Sequence, residues 1–200
     1  MKTKTNIKHN KHYRQNHAKI IEGILKLMRR FRVNITCAQI ARETGLARGT
    51  IRNHGLDRNK IMDEAEAALY GQFLYMIGRK MATERMKQNA RRNNQEYFTS
   101  LLLFMSKRKR VFRLICEDEN NRGLLRKMVA ALYGSLIIKW FPEGETVPSV
   151  DSEAGRVFIA MAVELIAKWG QETGCRFEKS DDCLRELMVL ADEMHMRCKL

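Results

Sequence analysis

The 200 residues carry 37 Lys and Arg against 23 Asp and Glu, a formal charge of +14, and 44% of them are apolar. A chain with that apolar content can bury a sizeable core, which excludes disorder throughout. The charge is uneven: residues 1–60 hold 15 Lys and Arg against Glu22, Glu43 and Asp57, a net of +12, while the other 140 residues hold 22 against 20. A cationic module joined to a near-neutral one points to a polyphosphate partner.

Residues 1–15, MKTKTNIKHNKHYRQ, are polar and basic with almost no apolar anchor, which predicts a mobile arm. Ile20, Ile21, Ile24, Leu25 and Met28 then form a stripe at helical spacing, predicting a first helix that ends in RRFR. Thr36 opens TCAQIA with Gln39 three residues on, the spacing of a capping box. That second helix stops at Gly45, which can take the left-handed conformation of a sharp turn. Arg48 to His54 reads as a short third helix. Asp57 reads as the N-cap of a fourth, in which Ile61, Ala65, Leu69, Phe73 and Met76 recur every three or four residues and which runs to about Gln88.

Helical patterns follow at about 94–106, 109–118 and 121–140. Both prolines, Pro142 and Pro148, fall in one loop, FPEGETVPSV. Beyond it, 151–172 is apolar nearly all round, and 181–197 carries a stripe at Leu184, Leu187, Met188, Ala191 and Met194. A helix apolar on several faces must be covered on several faces, and a second copy of the chain is a natural cover. No run alternates cleanly and β-branched residues are sparse, so the expected fold is all-α with about nine helices. Its expected divisions are the arm at 1–15, a three-helix head at 16–60 and a C-terminal helical domain at 61–200.

Five cysteines, Cys37, Cys116, Cys175, Cys183 and Cys198, are odd in number and form no C-x-x-C pair. This fits free thiols in a reducing compartment better than a disulfide framework or a zinc site. The first 18 residues lack the apolar core of a secretory signal. Val129 to Ile138, the longest uncharged apolar stretch, falls well short of the roughly 20 residues a membrane span needs. A cytoplasmic protein with no membrane partner is expected. No Gly-rich phosphate loop or G-x-S-x-G elbow occurs, and nothing assembles a nucleophile, base and orienter, so neither an enzyme nor a cofactor is expected. Cys183, His195 and Cys198 are too loosely spaced to argue for a metal. KRKR at 107–110 reads as a solvated connector.

The chemistry concentrates in ARETGLARGTIRNH, residues 41–54. Ala41 is small where two helices must cross closely, Gly45 makes the turn, and Ile51 returns a side chain to a core shared with Ile40 and Leu46. Small, Gly and branched apolar residues at this spacing suit a helix-turn-helix. Its outer face is left to Arg48, Thr50, Arg52, Asn53 and His54, and Arg and Asn are the types that pair with guanine and adenine edges in a major groove.

On Thr36, Ile40-Ala41, Gly45-Leu46, Gly49-Thr50-Ile51, His54 and Arg58 before Ile61-Met62, the segment from Ile20 to Met62 resembles the TetR family of bacterial transcriptional regulators. Arg52 stands where that family usually has tyrosine, Gly55 where it has phenylalanine, and Arg58 where it has lysine. The resemblance implies a homodimer through 151–172 and 181–197, and a double-stranded palindromic operator read by Arg48, Thr50, Arg52 and Asn53. Thr36, His54 and Arg58 would hold phosphates, and Lys2, Lys4, Lys8, Lys11 and Arg14 of the arm would add contacts. It further implies a small-molecule effector in the second domain, for which Tyr70, Phe73, Tyr97, Phe104, Tyr133 and Trp140 are the candidate lining.

The expected function is therefore a dimeric repressor released by a ligand. The alternative is a DNA-associated protein of the same kind whose C-terminal domain binds a protein and no small molecule. Single-strand or RNA binding would need aromatic stacking platforms in the basic region, where only Tyr13 and Phe31 occur before residue 70.

Overall fold

The structure, a computed structural model, describes residues 11–30, 35–55, 58–83, 90–117, 119, 122–141 and 149–197. Among these residues it is all-α, with nine α-helices. They are α1 (Lys11–Arg30), α2 (Cys37–Thr44), α3 (Arg48–Asn53), α4 (Arg58–Thr83) and α5 (Ala90–Ser106), then α6 (Lys109–Glu117), α7 (Gly123–Trp140), α8 (Glu153–Thr173) and α9 (Asp181–Arg197). A single 3-10 turn, Phe177–Lys179, lies between α8 and α9. The expected cap at Asp57, the end of the fourth helix near Gln88 and both prolines of the proline loop lie outside the described residues. No described helix is long and apolar enough to cross a membrane.

The start of α1 differs from the sequence reading. α1 begins at Lys11, inside the stretch expected as an arm. The reason is Tyr13, whose ring stacks on His54 with centroids 4.0 Å apart, so the basic segment does have an aromatic anchor.

The chain forms two units that divide between Leu69 and Tyr70, within α4 and further along it than the expected division after residue 60. In the first unit α1 packs on α2 and α2 on α3. Its core is Ile20, Ile24, Leu27, Ile35, Ile40, Ile51, Ala65 and Leu69, all buried.

In the second unit α8 packs against α6, α7 and α9, while α5 packs against α6, α7 and α9. The apolar circumference of α8 is thus met largely by its own chain. Ser152 caps α8 by accepting from the Gly155 N–H at 3.1 Å, and Gly174 ends it in the left-handed conformation, φ 63°. Arg122, just before α7, donates through one Nη to both carboxylate oxygens of Glu164 on α8, at 2.7 and 2.8 Å. Trp140 Nε1 donates to Asn94 Oδ1 at 3.1 Å, which satisfies two buried polar groups at once.

α6 and α8 meet at Gly170. A Cβ there would overlap Cys116 Sγ and lie 2.9 Å from Cys116 Cβ and 3.2 Å from Cys175 Sγ. The hydrogen bond that the Cys116 thiol makes to Cys175, followed by burial, pushes it above its ordinary range, and burial pushes Cys183 up to about 12. Both thiols stay protonated at neutral pH and behave as small apolar packing groups.

Alanine is favoured over glycine in a helix by about 1 kcal/mol, but overpacking a filled core costs about 1–3 kcal/mol. At Gly170 the obstructing Cβ of Cys116 is fixed to backbone, so overpacking wins. Gly170→Ala is expected to lower the melting temperature, whereas Gly71→Ala, at an exposed α4 position with open space around it, is expected to raise it. Thermal melts of the two variants decide, and a Gly170→Ala protein as stable as wild type would contradict the close approach.

Candidate nucleic-acid interface

α2 is held at both ends by local chemistry. Thr36 is the N-cap in extended conformation (φ −108°, ψ 154°), and its Oγ1 accepts from the Gln39 N–H at 3.3 Å. In return Gln39 Oε1 accepts from the Thr36 N–H at 2.8 Å and from its hydroxyl at 3.0 Å. Such a cap stabilises a helix by about 1 kcal/mol. The Thr36 hydroxyl, expected on a phosphate, is therefore the cap of α2, with its proton on Gln39.

The other end of α2 turns on Gly45, at φ 68°, ψ 11°, where a side chain would cost about 1–2 kcal/mol. Thr44 locks this turn: its Oγ1 donates to the Ile40 carbonyl at 2.7 Å and accepts from the Leu46 N–H at 3.3 Å. Its methyl meets Gly23 of α1, where any Cβ would overlap it. Gly23 and Thr44 thus set how closely α1 approaches α2.

α3 is six residues long, and its N-cap, Ala47, offers no side-chain bond. Ile51 and Ile40 are both 0% exposed, and α3 packs on α2. Arg48, Arg52 and Asn53 are exposed, and Thr50 is half-buried. Arg48 and Arg52 stand at i, i+4, a spacing at which like charges repel by about 0.2–0.5 kcal/mol. A polyanion laid along α3 would relieve that repulsion.

His54 departs from its expected place on the outer face. Its ring is half-buried against α1, stacked on Tyr13 at 4.0 Å and 5.5 Å from the ring of His17. Among the described residues, the buried Nδ1 atoms of His54 and His17 have no hydrogen-bond partner. His17 Nε2 lies 3.5 Å from Glu64 Oε2 on α4. Burial, and then the charge of His17, hold the His54 pKa below its ordinary 6.5. His54 closes α3 onto α1 as a neutral aromatic ring, so the phosphate role gives way to packing. The Gly55 backbone beside it takes φ 69°.

The remaining expected residues separate. Lys11 and Arg14 are exposed on α1. Lys2, Lys4 and Lys8, and the side chain of Arg58, lie outside the described residues. Of the six aromatics expected to line an effector pocket, Phe73, Tyr97, Phe104, Tyr133 and Trp140 are buried and Tyr70 half-buried. Four of them fall in two separate ring clusters: Phe73 meets Phe104, which meets Phe112, and Tyr133 meets Trp140 and Phe158. His195, considered for a metal, stacks on Trp140 at 5.3 Å.

Sequence reasoning passed over Tyr13, His17, Gly23 and Thr44. Tyr13 and His17 share one helix face at i, i+4, a spacing that marks a common purpose in an otherwise polar stretch. A glycine within the Ile20–Met28 stripe likewise marks a close helix approach. Neither a protein-family model, nor a curated protein, nor a solved structure matches this chain.

Because the folded His54 pKa lies below the unfolded value, the unfolded chain binds the proton first as pH falls. The stability it contributes is present above about pH 6.5 and lost on acidification toward the folded value. His54→Phe keeps a ring on Tyr13 and removes that titration. Urea unfolding between about pH 7.5 and 5.5 is expected to lose less stability in the variant than in wild type. An unchanged pH slope would contradict the assignment to His54.

Proposed function

We propose that this chain is a dimeric DNA-binding transcriptional regulator of the TetR kind, a repressor that a small-molecule effector releases from a palindromic operator. The observation that carries the reading is α3. A helix too short to stand alone is pinned through Ile51 and the Gly45 turn, and it turns Arg48, Arg52 and Asn53 outward. Residues with five and four hydrogen-bonding sites on an exposed helix face suit base edges in a major groove, which admits one helix. The net +12 of residues 1–60 supplies the sequence-independent attraction.

Dimerisation is supported by apolar surface left on α8 and α9. Val157 and Met161 are exposed at i, i+4 on α8, and Val189 and Met196 are 53% and 66% exposed at i, i+7 on α9. Each pair lies on one helix face, the pattern of a helical seam. Lys168 follows on the α8 face, and Glu186 and Glu193 flank the pair on α9, so a two-fold can bring opposite charges together.

The packing of Phe73, Phe104, Tyr133 and Trp140 into ring clusters favours a second reading, in which the C-terminal unit engages a protein instead of an apolar ligand. Exposed Leu74, Tyr75 and Ile138 are its candidate contacts. Release of bound duplex by the low-molecular-weight fraction of a cell extract supports the first reading, and release by the protein fraction alone supports the second.

On a palindrome selected from random duplex, Arg52→Ala is expected to cost about 1–3 kcal/mol on the selected site and less on random DNA. Gel shifts measure both. Equal loss on the two removes Arg52 from base reading, and a wild-type protein without preference among duplexes at physiological salt rejects the regulator. Met161→Lys with Val189→Lys is expected to convert a dimer to monomer in sedimentation equilibrium. A wild-type chain that sediments as a monomer at every concentration would refute the seam.

A further inference from the structure

The KRKR run does not behave as one solvated connector. Arg108 folds back over the Phe104 ring at 3.9 Å and donates to Gln72 Oε1 at 2.8 Å and to the Phe104 carbonyl at 3.3 Å. Lys109 and Arg110, at the start of α6, instead line an open cleft of about 420 Å³ together with Arg113 and, from the far side, Gln171, Glu172 and Arg176. That volume falls within the usual range for small-molecule sites.

The walls are fixed. Gln171 Nε2 donates to the Cys116 carbonyl at 2.7 Å, which ties the end of α8 to α6. Beneath it Gly170 meets both Cys116 and Cys175. Cys175 itself sits at φ 57°, a conformation uncommon for a residue with a side chain and one that sets the path of the chain into Arg176.

The guanidinium groups are oriented as well. Arg113 Nε donates to Glu117 Oε1 at 2.6 Å and Arg176 Nε to the Thr173 carbonyl at 2.8 Å. In each the Nε side is used by the protein, so the planar group is held and its Nη end is presented. Preorganised guanidinium forks are the donors best matched to phosphoryl oxygens.

Among the described residues the lining sets Lys109, Arg110, Arg113 and Arg176 against the carboxylate of Glu172, with Glu117 paired to Arg113. Among the described residues, the lining includes no aromatic ring on which a base could stack. The geometry points to a binding site for a small, multiply phosphorylated molecule, held by Lys109, Arg110, Arg113 and Arg176, with Glu172 and Gln171 able to accept from its hydroxyl groups. The site stands in the second unit and does not depend on whether the first binds DNA.

Inorganic tripolyphosphate is the probe, titrated calorimetrically into the DNA-free full chain at about 150 mM salt, where long-range attraction is screened. Wild type is expected to bind, Arg113→Gln/Arg176→Gln to bind at least about tenfold more weakly, and Arg48→Gln/Arg52→Gln, which removes the same charge from the first unit, to bind within about twofold of wild type. Glu172→Gln is expected to tighten binding. Far-ultraviolet circular dichroism confirms that each variant is folded. Equal loss in the two double variants, loss in the Arg48/Arg52 pair alone, or no binding to wild type would overturn the site. So would a cleft variant that loses affinity for a short duplex while keeping it for tripolyphosphate, since the cleft would then be a nucleic-acid backbone contact.

Discussion

Burial of Ile51 is what the basic unit depends on. Six residues are too few for a helix to persist alone in water, because nucleation is costly and few hydrogen bonds repay it, and α3 has no side-chain cap to help. Burying one isoleucine contributes about 1.5–3 kcal/mol, comparable to what so short a helix lacks. Ile51 reaches its place only if the chain reverses within three residues after α2. Gly45 permits that reversal and the two hydrogen bonds of Thr44 hold it. Fixing Ile51 inward also fixes Arg48, Arg52 and Asn53 outward, since burying an unpaired guanidinium would cost far more than the isoleucine contributes.

The same division between apolar inside and cationic outside appears twice more. At His54, neutrality permits burial: the ring stacks on Tyr13 because it gives up its charge. At Arg108 the charge is kept and satisfied by the Phe104 ring face, a carbonyl and Gln72. Its neighbours Lys109 and Arg110 line the cleft. Adjacent basic residues therefore do different work, decided by which partners the fold brings within reach.

What could be read from the sequence was local. The Thr36–Gln39 cap, the Gly45 turn, the inward Ile40 and Ile51, and the helical runs that became α5 to α9 rest on contacts within a few residues, so spacing reveals them. Tyr13 meets His54 across 41 positions, and Lys109 lines one cleft with Arg176 across 67. Nothing in local spacing encodes such pairs, so α1 was expected to start late, His54 to face outward and KRKR to be inert. The aromatics show a further limit. A ring at helical spacing looks the same whether it lines a cavity or packs on another ring, and only three-dimensional packing placed Phe73 with Phe104 and Tyr133 with Trp140. α8 was similar: its all-round apolar pattern read as a need for a second chain, whereas α6, α7 and α9 supply most of the cover.

The central claim is that α3 is the reading surface of this chain. Amide hydrogen exchange of the full chain with and without a selected palindromic duplex tests it directly at physiological salt. The account predicts added protection concentrated in residues 45–55, spanning the Gly45 turn and α3. Protection absent there, or concentrated on α6 and the end of α8 instead, would contradict it.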